Sequence, residues 1–306
     1  MTARIIINPA AGRSRGRLSP AAMRALVADV CRSSDVSARV DFTEGRGHAR
    51  ALARDAAAAD PDVVVAWGGD GTVNEVASAL VDASVPLGIV AGGSGNGLAR
   101  ALDLSLRPAD ALRTALTGVS RRIDAATIGD GRGADHVFFN VAGLGLDALV
   151  ATHFNGRHGS SRGFSRYIVA GLTELLRYRP ETYRLDVDGE SQTVTAVIVA
   201  FANGTQYGNN TFIAPASRLD DGLVDLVVVE PSSLPSQAWR ARRLFTGRLL
   251  DDPLVQSRRA HEIVADTPVG AAYHYDGECA ASDGRLVVRS RPAALAVRCR
   301  PGGHAP

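Results

Sequence analysis

Lysine is absent from this chain: all 34 basic residues are arginine. A Walker-type P-loop depends on a lysine, a protein kinase on its strand lysine and a Schiff-base enzyme on an amine, so all three classes are excluded. Any phosphate bound here must be held by arginine, backbone N–H groups or metal. Cysteine is scarce as well. Cys31, Cys279 and Cys299 are far apart and odd in number, which argues against a disulfide or zinc framework and for a reducing, cytoplasmic setting. No run approaches the roughly 18 apolar residues that a membrane span needs. The start, Met1-Thr2-Ala3-Arg4-Ile5-Ile6-Ile7-Asn8, goes straight into a strand, so no signal peptide is expected. The net charge of +2 is too small to imply nucleic acid as a partner.

What is present is enough apolar material for two ordinary domains: 306 residues, 45% hydrophobic and 22% charged, the balance of a globular chain. Through about residue 125 strand and helix signals alternate. Strands are expected at 4–7, 37–42, 62–67, 87–90 and 119–128, and helices at 20–32, 46–59, 73–82, 97–102 and 108–117. That βαβ rhythm predicts a parallel sheet with helices on both faces. Beyond it strand-like runs dominate, at 137–139, 183–187, 194–201, 223–229 and 284–298, with turn signals such as Asp188-Gly189 and Asp221-Gly222 between them. They predict an antiparallel β-sandwich carrying helices near 143–153, 163–178 and 235–246. The expected division is 1–125 and 126–306, meeting at a cleft, with the C-terminal tail able to pack back on the first domain.

The most informative residues are Gly68-Gly69-Asp70-Gly71-Thr72-Val73-Asn74-Glu75. They follow an apolar run that reads as a buried strand and lead into a helical segment. Thr72 and Glu75 match the S/T-x-x-E capping box, which is expected to start the helix. Glycines let backbone approach an anion closely, and the first helical N–H groups point at it. Asp70 would repel a bare phosphate, so it suits a site where a cation intervenes or where it takes a proton; a nucleotide triphosphate with magnesium fits. One strand later comes a second loop, Ala91-Gly92-Gly93-Ser94-Gly95-Asn96-Gly97. Two strand–glycine loop–helix units place both loops at the carboxyl edge of one parallel sheet, where ligands of open α/β sheets bind.

In this order the motifs resemble the diacylglycerol kinase catalytic-domain family, which includes bacterial lipid kinases and sphingosine kinases. Asn8-Pro9-Ala10-Ala11-Gly12 is similar to its opening N-P-x-x-G, residues 68–75 to its G-G-D-G-T-x-N-E signature, and residues 93–102 to its second loop. Phe139-Asn140-Val141-Ala142-Gly143-Leu144-Gly145-Leu146-Asp147-Ala148, Phe201-Ala202-Asn203-Gly204, Ala214-Pro215, residues 219–225 and Tyr275-Asp276-Gly277-Glu278 follow in the family's order. Ala91 stands where members commonly have proline, a loss of loop rigidity but of no functional group. The resemblance implies a Rossmann-like α/β domain of the NAD-kinase/diacylglycerol-kinase type and a β-sandwich. It also implies ATP and Mg²⁺ as cofactors and transfer of the γ-phosphoryl group to a lipid hydroxyl of diacylglycerol-like or sphingoid type at a membrane surface. Carried over by position, Asn8, Thr43, Gly68, Gly69, Asp70, Gly71, Thr72, Val73, Asn74, Ser94 and Asn96 would hold the nucleotide. Glu278 would be the general base, Asp70 a second catalytic residue, and Asp221 with the carbonyls of Arg218 and Leu223 a magnesium site.

Several readings stay open on the sequence. The triplet Asp-Gly-Glu also occurs at 188–190, where it reads as an ordinary hairpin turn, so order and neighbours alone distinguish the copy at 276–278. Asp220-Asp221-Gly222 is either a solvated turn or a metal site. Arg13, Arg15 and Arg17 could meet phosphate, membrane or plain solvent. The arginine-rich helix at 163–178 either packs its apolar stripe on the sandwich or rests on anionic lipid. His153, His158, His261 and His274 show no metal spacing and read as bystanders. Rival functions are an NAD kinase-like phosphotransferase, which shares the G-G-D-G-T turn, a kinase of a soluble alcohol, and a catalytically silent nucleotide- or lipid-binding regulator. Nothing specifies an oligomer, although a sandwich edge could pair two copies in a homodimer.

Overall fold

A computed structural model of the chain describes residues 1–11, 18–133, 135–156 and 178–302. Arg13, Arg15, Arg17, His158 and the expected helix up to residue 177 lie outside the described residues. The chain divides into two units, Met1–Ile123 together with the stretch from Ala293 onward, and Asp124–Pro292.

The first unit is an α/β layer structure. Its strands are β1 (Thr2–Ile7), β2 (Ser37–Phe42), β3 (Val63–Gly68) and β4 (Leu87–Ala91), all paired in parallel in the order β2-β1-β3-β4. The helices between them are α1 (Pro20–Ser33), α2 (His48–Ala58), α3 (Asp70–Ala79), α4 (Gly97–Ala101) and α5 (Pro108–Thr117). β3 and β4 are buried at every position, as strands covered on both faces must be, and this is why they read as unbroken apolar runs. A core of Ile5, Ile7, Val27, Val65, Val90, Leu112 and Leu116 fills one side. Because the chain steps from β1 to β2 on one side and returns past β1 to β3 on the other, the sheet reverses its strand order at the β1/β3 pair. The carboxyl ends of those strands flank the crevice that such a reversal opens.

The second unit is antiparallel. It holds most of β5 (Val119–Gly129), then β6 (His136–Phe138), β7 (Val141–Gly145), α6 (Leu146–Gly156), β8 (Glu181–Val187), β9 (Glu190–Ala196), β10 (Ile198–Ala202), β11 (Val224–Val229) and α7 (Leu234–Thr246). β12 (Val255–Ala260), β13 (Glu262–Tyr275) and most of β14 (Glu278–Cys299) follow. β12, β11, β10, β7, β13 and β14 are neighbours in that order, and β8 adds β9 to the far end of β13. Alternation along β10 sends Val199 and Phe201 into the sandwich core with Phe138, Tyr183 and Leu226. Ala200 and Ala202 face the opposite side with Ile213 and Leu249. Both faces of this strand are therefore covered.

Three expectations need correction. The helix expected from 143 begins at Leu146, because residues 141–145 pair with β10 as β7. The run 194–201 is two strands, broken where Val197 turns its N–H to the Val229 carbonyl and its own carbonyl to the Leu146 N–H. The capping box does not form. α3 starts at Asp70 with Gly69 as its N-cap and no side-chain cap, so Thr72 already lies inside the helix. Its hydroxyl accepts from Asn8 Nδ2 at 2.9 Å, and Glu75 caps a different helix.

Candidate active site

In the first unit the expected nucleotide residues gather at one edge of the sheet. Asn8 follows β1, Thr43 follows β2, Gly68 ends β3 with residues 69–74 after it, and residues 92–96 follow β4. Asn8 spans the β1/β3 crevice, its backbone N–H on the Trp67 carbonyl at 2.8 Å and its side chain on Thr72. The two glycine loops touch back to back. Gly92 N–H donates to the Gly68 carbonyl at 2.7 Å, and a Cβ on Gly93 would stand 2.8 Å from the Gly69 Cα. Only glycine permits that approach.

Asp70 holds the second loop. Its Oδ1 accepts the Gly97 N–H at 2.7 Å and its Oδ2 the Asn96 N–H at 2.9 Å. Asn96 stands at φ 54°, in the left-handed region that asparagine tolerates. Its side chain closes the loop on Gly93 through two contacts of 2.9 Å. Arg100 adds a third tie, from Nε to the Gly95 carbonyl at 3.0 Å. Glu75 receives the N–H groups of Gly47, Ala49 and Arg50, so a carboxylate from α3 satisfies the start of α2. Thr72, Val73 and Asn74 are buried, Gly69, Asp70 and Gly71 are half-buried, and Ser94 is exposed. The first-turn N–H groups of α3 have no intrahelical acceptors, and N–H groups at such a position can receive an anion.

In the second unit Tyr275-Asp276-Gly277-Glu278 closes the β13–β14 hairpin, with Tyr275 paired to Glu278. Asp276 and Gly277 both take positive φ, 45° and 86°, the two-residue turn that Asp-Gly favours. The Asp276 carboxylate accepts the N–H groups of Phe139 at 2.8 Å, Asn140 at 2.9 Å and Val141 at 3.2 Å. Its own N–H donates to the Val141 carbonyl. Asn203, fully buried, donates to the Phe139 and Asp124 carbonyls, and its N–H and that of Gly204 reach the Asn140 carbonyl. Three motifs distant in sequence thus fix the position of half-buried Glu278. Tyr275 stacks on His136 at 4.2 Å, and burial pushes the Tyr273 hydroxyl up to about 12, so that phenol stays protonated.

His274 has a buried partner. Its Nε2 lies 3.1 Å from Asp147 Oδ2, which also accepts from the Tyr207 hydroxyl at 2.9 Å. His274 and Asp147 are both buried. Adjacency of a histidine to the Asp-Gly-Glu turn and an aspartate opening a helix were the only sequence signals, and neither specifies a pairing across 127 residues.

At the expected magnesium turn, Arg218 pairs with Asp220 at 2.9 Å. Asp221 accepts the Leu223 N–H and lies 3.4 Å from Arg259. Asp124 holds the turn through the Gly222 N–H at 2.7 Å. Asp225 beneath it is buried, which raises its carboxyl above the usual range; the neighbouring Asp221 charge adds to the rise. Among the described residues no three His, Cys, Asp or Glu side chains gather as a metal cluster. A cation there would have fewer than three such side chains and would be completed by backbone carbonyls. That all-oxygen set fits Mg²⁺, and the cation would relieve the Asp221–Asp225 repulsion.

The diacylglycerol kinase catalytic domain matches residues 2–128, and the YegS C-terminal NAD kinase beta sandwich-like domain matches residues 140–299. A diacylglycerol kinase of Mycobacterium tuberculosis is 33% identical over 244 residues, 79% of this chain and 78% of that protein. A diacylglycerol kinase of Bacillus subtilis is 28% identical over 90% of this chain and 89% of its own. A crystal structure of a diacylglycerol kinase from Bacillus anthracis superposes with a TM-score of 0.74 at 18% identity, covering 99% of this chain and 98% of that one; this likeness speaks for the fold. Both halves of the chain and the motif order agree: the protein belongs to the diacylglycerol kinase family of lipid kinases, phosphotransferases with an alcohol acceptor.

Proposed function

We propose that the protein moves the γ-phosphoryl group of ATP to the hydroxyl of a membrane lipid. The observation that carries this reading is the pair of glycine loops locked together through Asp70, with backbone N–H groups of α3 beside them. In a chain without lysine, such N–H groups are one of the phosphate-binding devices that remain, beside arginine and metal. In this reading Gly68, Gly69, Gly71, Asn8 and Ser94 bind the nucleotide, while Thr72 and Asn74 shape the loop from within. Asp70 acts by positioning the second loop.

Glu278 would take the proton of the lipid hydroxyl as its oxygen forms the bond to the γ-phosphorus and the bond to ADP breaks. A carboxylate within hydrogen-bond reach can serve as such a base, and the Asp276 clamp keeps it in place. Asp221 with the carbonyls of Arg218 and Leu223 would hold Mg²⁺, which when bound supplies positive charge at that turn.

The test is transfer of label from γ-labelled ATP, with Mg²⁺, into a panel of diacylglycerol, monoacylglycerol, sphingoid and phosphatidylglycerol acceptors in mixed micelles. NAD serves as a control acceptor. Label in a lipid class is expected. Label in NAD alone would overturn the lipid assignment and leave the fold untouched.

A further inference from the structure

Among the described residues eight large hydrophobic side chains are exposed, and three of them, Leu234, Trp239 and Phe245, lie on α7. At 3.6 residues per turn these three and Arg242 share an arc of about 140°. The opposite side is fastened down. Arg240 is buried, with Nε 3.1 Å from Asp252 and Nη1 2.9 Å from the Glu230 carbonyl. Gln237 donates to the Ser232 carbonyl, Leu244 packs on the core with Ile213 and Leu249, and the Leu244 carbonyl accepts the Phe212 N–H at 2.7 Å. The outward apolar face is therefore held out deliberately, on a helix that cannot roll to hide it. Arg243 lies over the Trp239 ring at 3.9 Å, and α7 contains no acidic residue.

We propose that α7 is an interfacial helix that seats the protein on an anionic bilayer. Leu234, Trp239 and Phe245 would enter the headgroup region, and exposed Arg242 would meet lipid phosphates, while Arg243 backs the Trp239 ring with its Nη1 4.0 Å from Asp252. Exposed tryptophan and arginine on one face of an amphipathic helix suit that environment. A second copy is disfavoured on charge, because a two-fold contact through this face would press Arg242 of both copies together with no acidic residue on the helix to offset it. The choice of a lipid surface as partner rests on the lipid-kinase reading. The loop that begins at Asn203, beside Asn140 and the Asp276 clamp, continues to Phe212 and its bond to α7. The C-terminal turn of the helix thus meets the loop that follows β10, while Arg240 ties its middle to Glu230, just past the end of β11.

The full chain supplies its own probe, because its two tryptophans differ: Trp67 is 3% exposed and Trp239 51%. Adding phosphatidylcholine vesicles with about 30% phosphatidylglycerol should shift Trp239 emission to the blue, and pure phosphatidylcholine should do so far less, since anionic lipid attracts each arginine. In vesicle sedimentation Trp239→Ser/Phe245→Ser should lower binding about tenfold or more, and Arg242→Gln several-fold, with unchanged melting temperature and ATP affinity. Vesicle binding without an emission shift, equal binding by the variants, or a shift that follows protein concentration without lipid would each overturn the proposal. The last of these would indicate self-association. Lipid phosphorylation in detergent micelles should survive in the double variant. If the wild type phosphorylates no lipid there, the kinase reading fails, while the vesicle results still decide the role of α7.

Discussion

The carboxylate of Asp70, in the first turn of α3, receives the backbone N–H of Asn96 at 2.9 Å and, through its other oxygen, that of Gly97 at 2.7 Å. One side chain thereby clips together two glycine loops that are 26 residues apart. Charge-assisted bonds to N–H groups are among the stronger hydrogen bonds a protein makes. The negative charge that would repel a phosphate is turned toward protein donors.

Asp70→Asn should therefore weaken ATP binding by loosening the second loop. An amide can accept one of the two N–H groups but turns its own NH₂ on the other. A loss of about one to two hydrogen bonds corresponds to roughly a tenfold to hundredfold fall in ATP affinity, measured by calorimetry. Wild-type affinity in the variant would show that the clip does not shape the nucleotide site.

The neighbouring glycines separate close packing from open space. A Cβ on Gly68 would fall 2.5 Å from the Thr72 Cβ, whereas one on Gly69 would meet nothing nearer than 3.4 Å. Gly69 also has a φ of −82°, ordinary for any residue. Gly68→Ala should cost about 1–3 kcal/mol in denaturant unfolding by overpacking, and Gly69→Ala should cost much less. Equal losses would mean that the loop relaxes around Gly68.

For the hairpin, Glu278→Gln should abolish turnover while ATP affinity stays as in the wild type, since the amide cannot take the acceptor's proton. Asp276→Asn should lower turnover less completely, because it loosens the clamp on residues 139–141 and leaves the carboxylate of Glu278 in place. Turnover near wild type in Glu278→Gln, followed by single-turnover label transfer, would remove that residue from the mechanism.

Asp188 offers a pH test of the same clamp in a second copy. Its carboxylate accepts the N–H groups of Glu262 and His261, and these bonds, that from Glu262 first, hold its pKa below the ordinary 3.8. A carboxylate depressed on folding adds stability above its unfolded pKa and loses it as pH falls through the folded value. Asp188→Asn should therefore lower Tm at pH 7 by about 2–4 °C, and the gap should close at acid pH below 3.8. A gap unchanged down to pH 2 would show that the charge contributes nothing.

That second copy explains why the turn by itself was uninformative. Asp188-Gly189 and Asp276-Gly277 have the same pair of positive φ angles. Each aspartate N–H donates to a neighbouring-strand carbonyl, and each carboxylate accepts N–H groups from that strand. Local chemistry makes the same hairpin twice. What differs is the strand being clamped, and that depends on pairing between residues 135 to 137 apart.

The sequence by itself determined the alternation of strands and helices in the first unit, the glycine loops after β3 and β4, and the motif order that identifies the family. Those features are written in local periodicity and in glycines that permit close approach. β12 and β13 escaped because an edge strand carrying Arg258 and Arg259 outward reads as polar, and Pro268 and Gly270 break β13 where its register shifts. Tertiary structure alone decided the partners of the charged side chains. Glu75 went to α2 and left Thr72 to Asn8, Asp70 went to the second loop, and His274 found Asp147. A carboxylate takes whichever unsatisfied N–H groups the packed elements bring within about 3 Å, and which groups those are is set by strand order and helix packing, not by spacing along the chain.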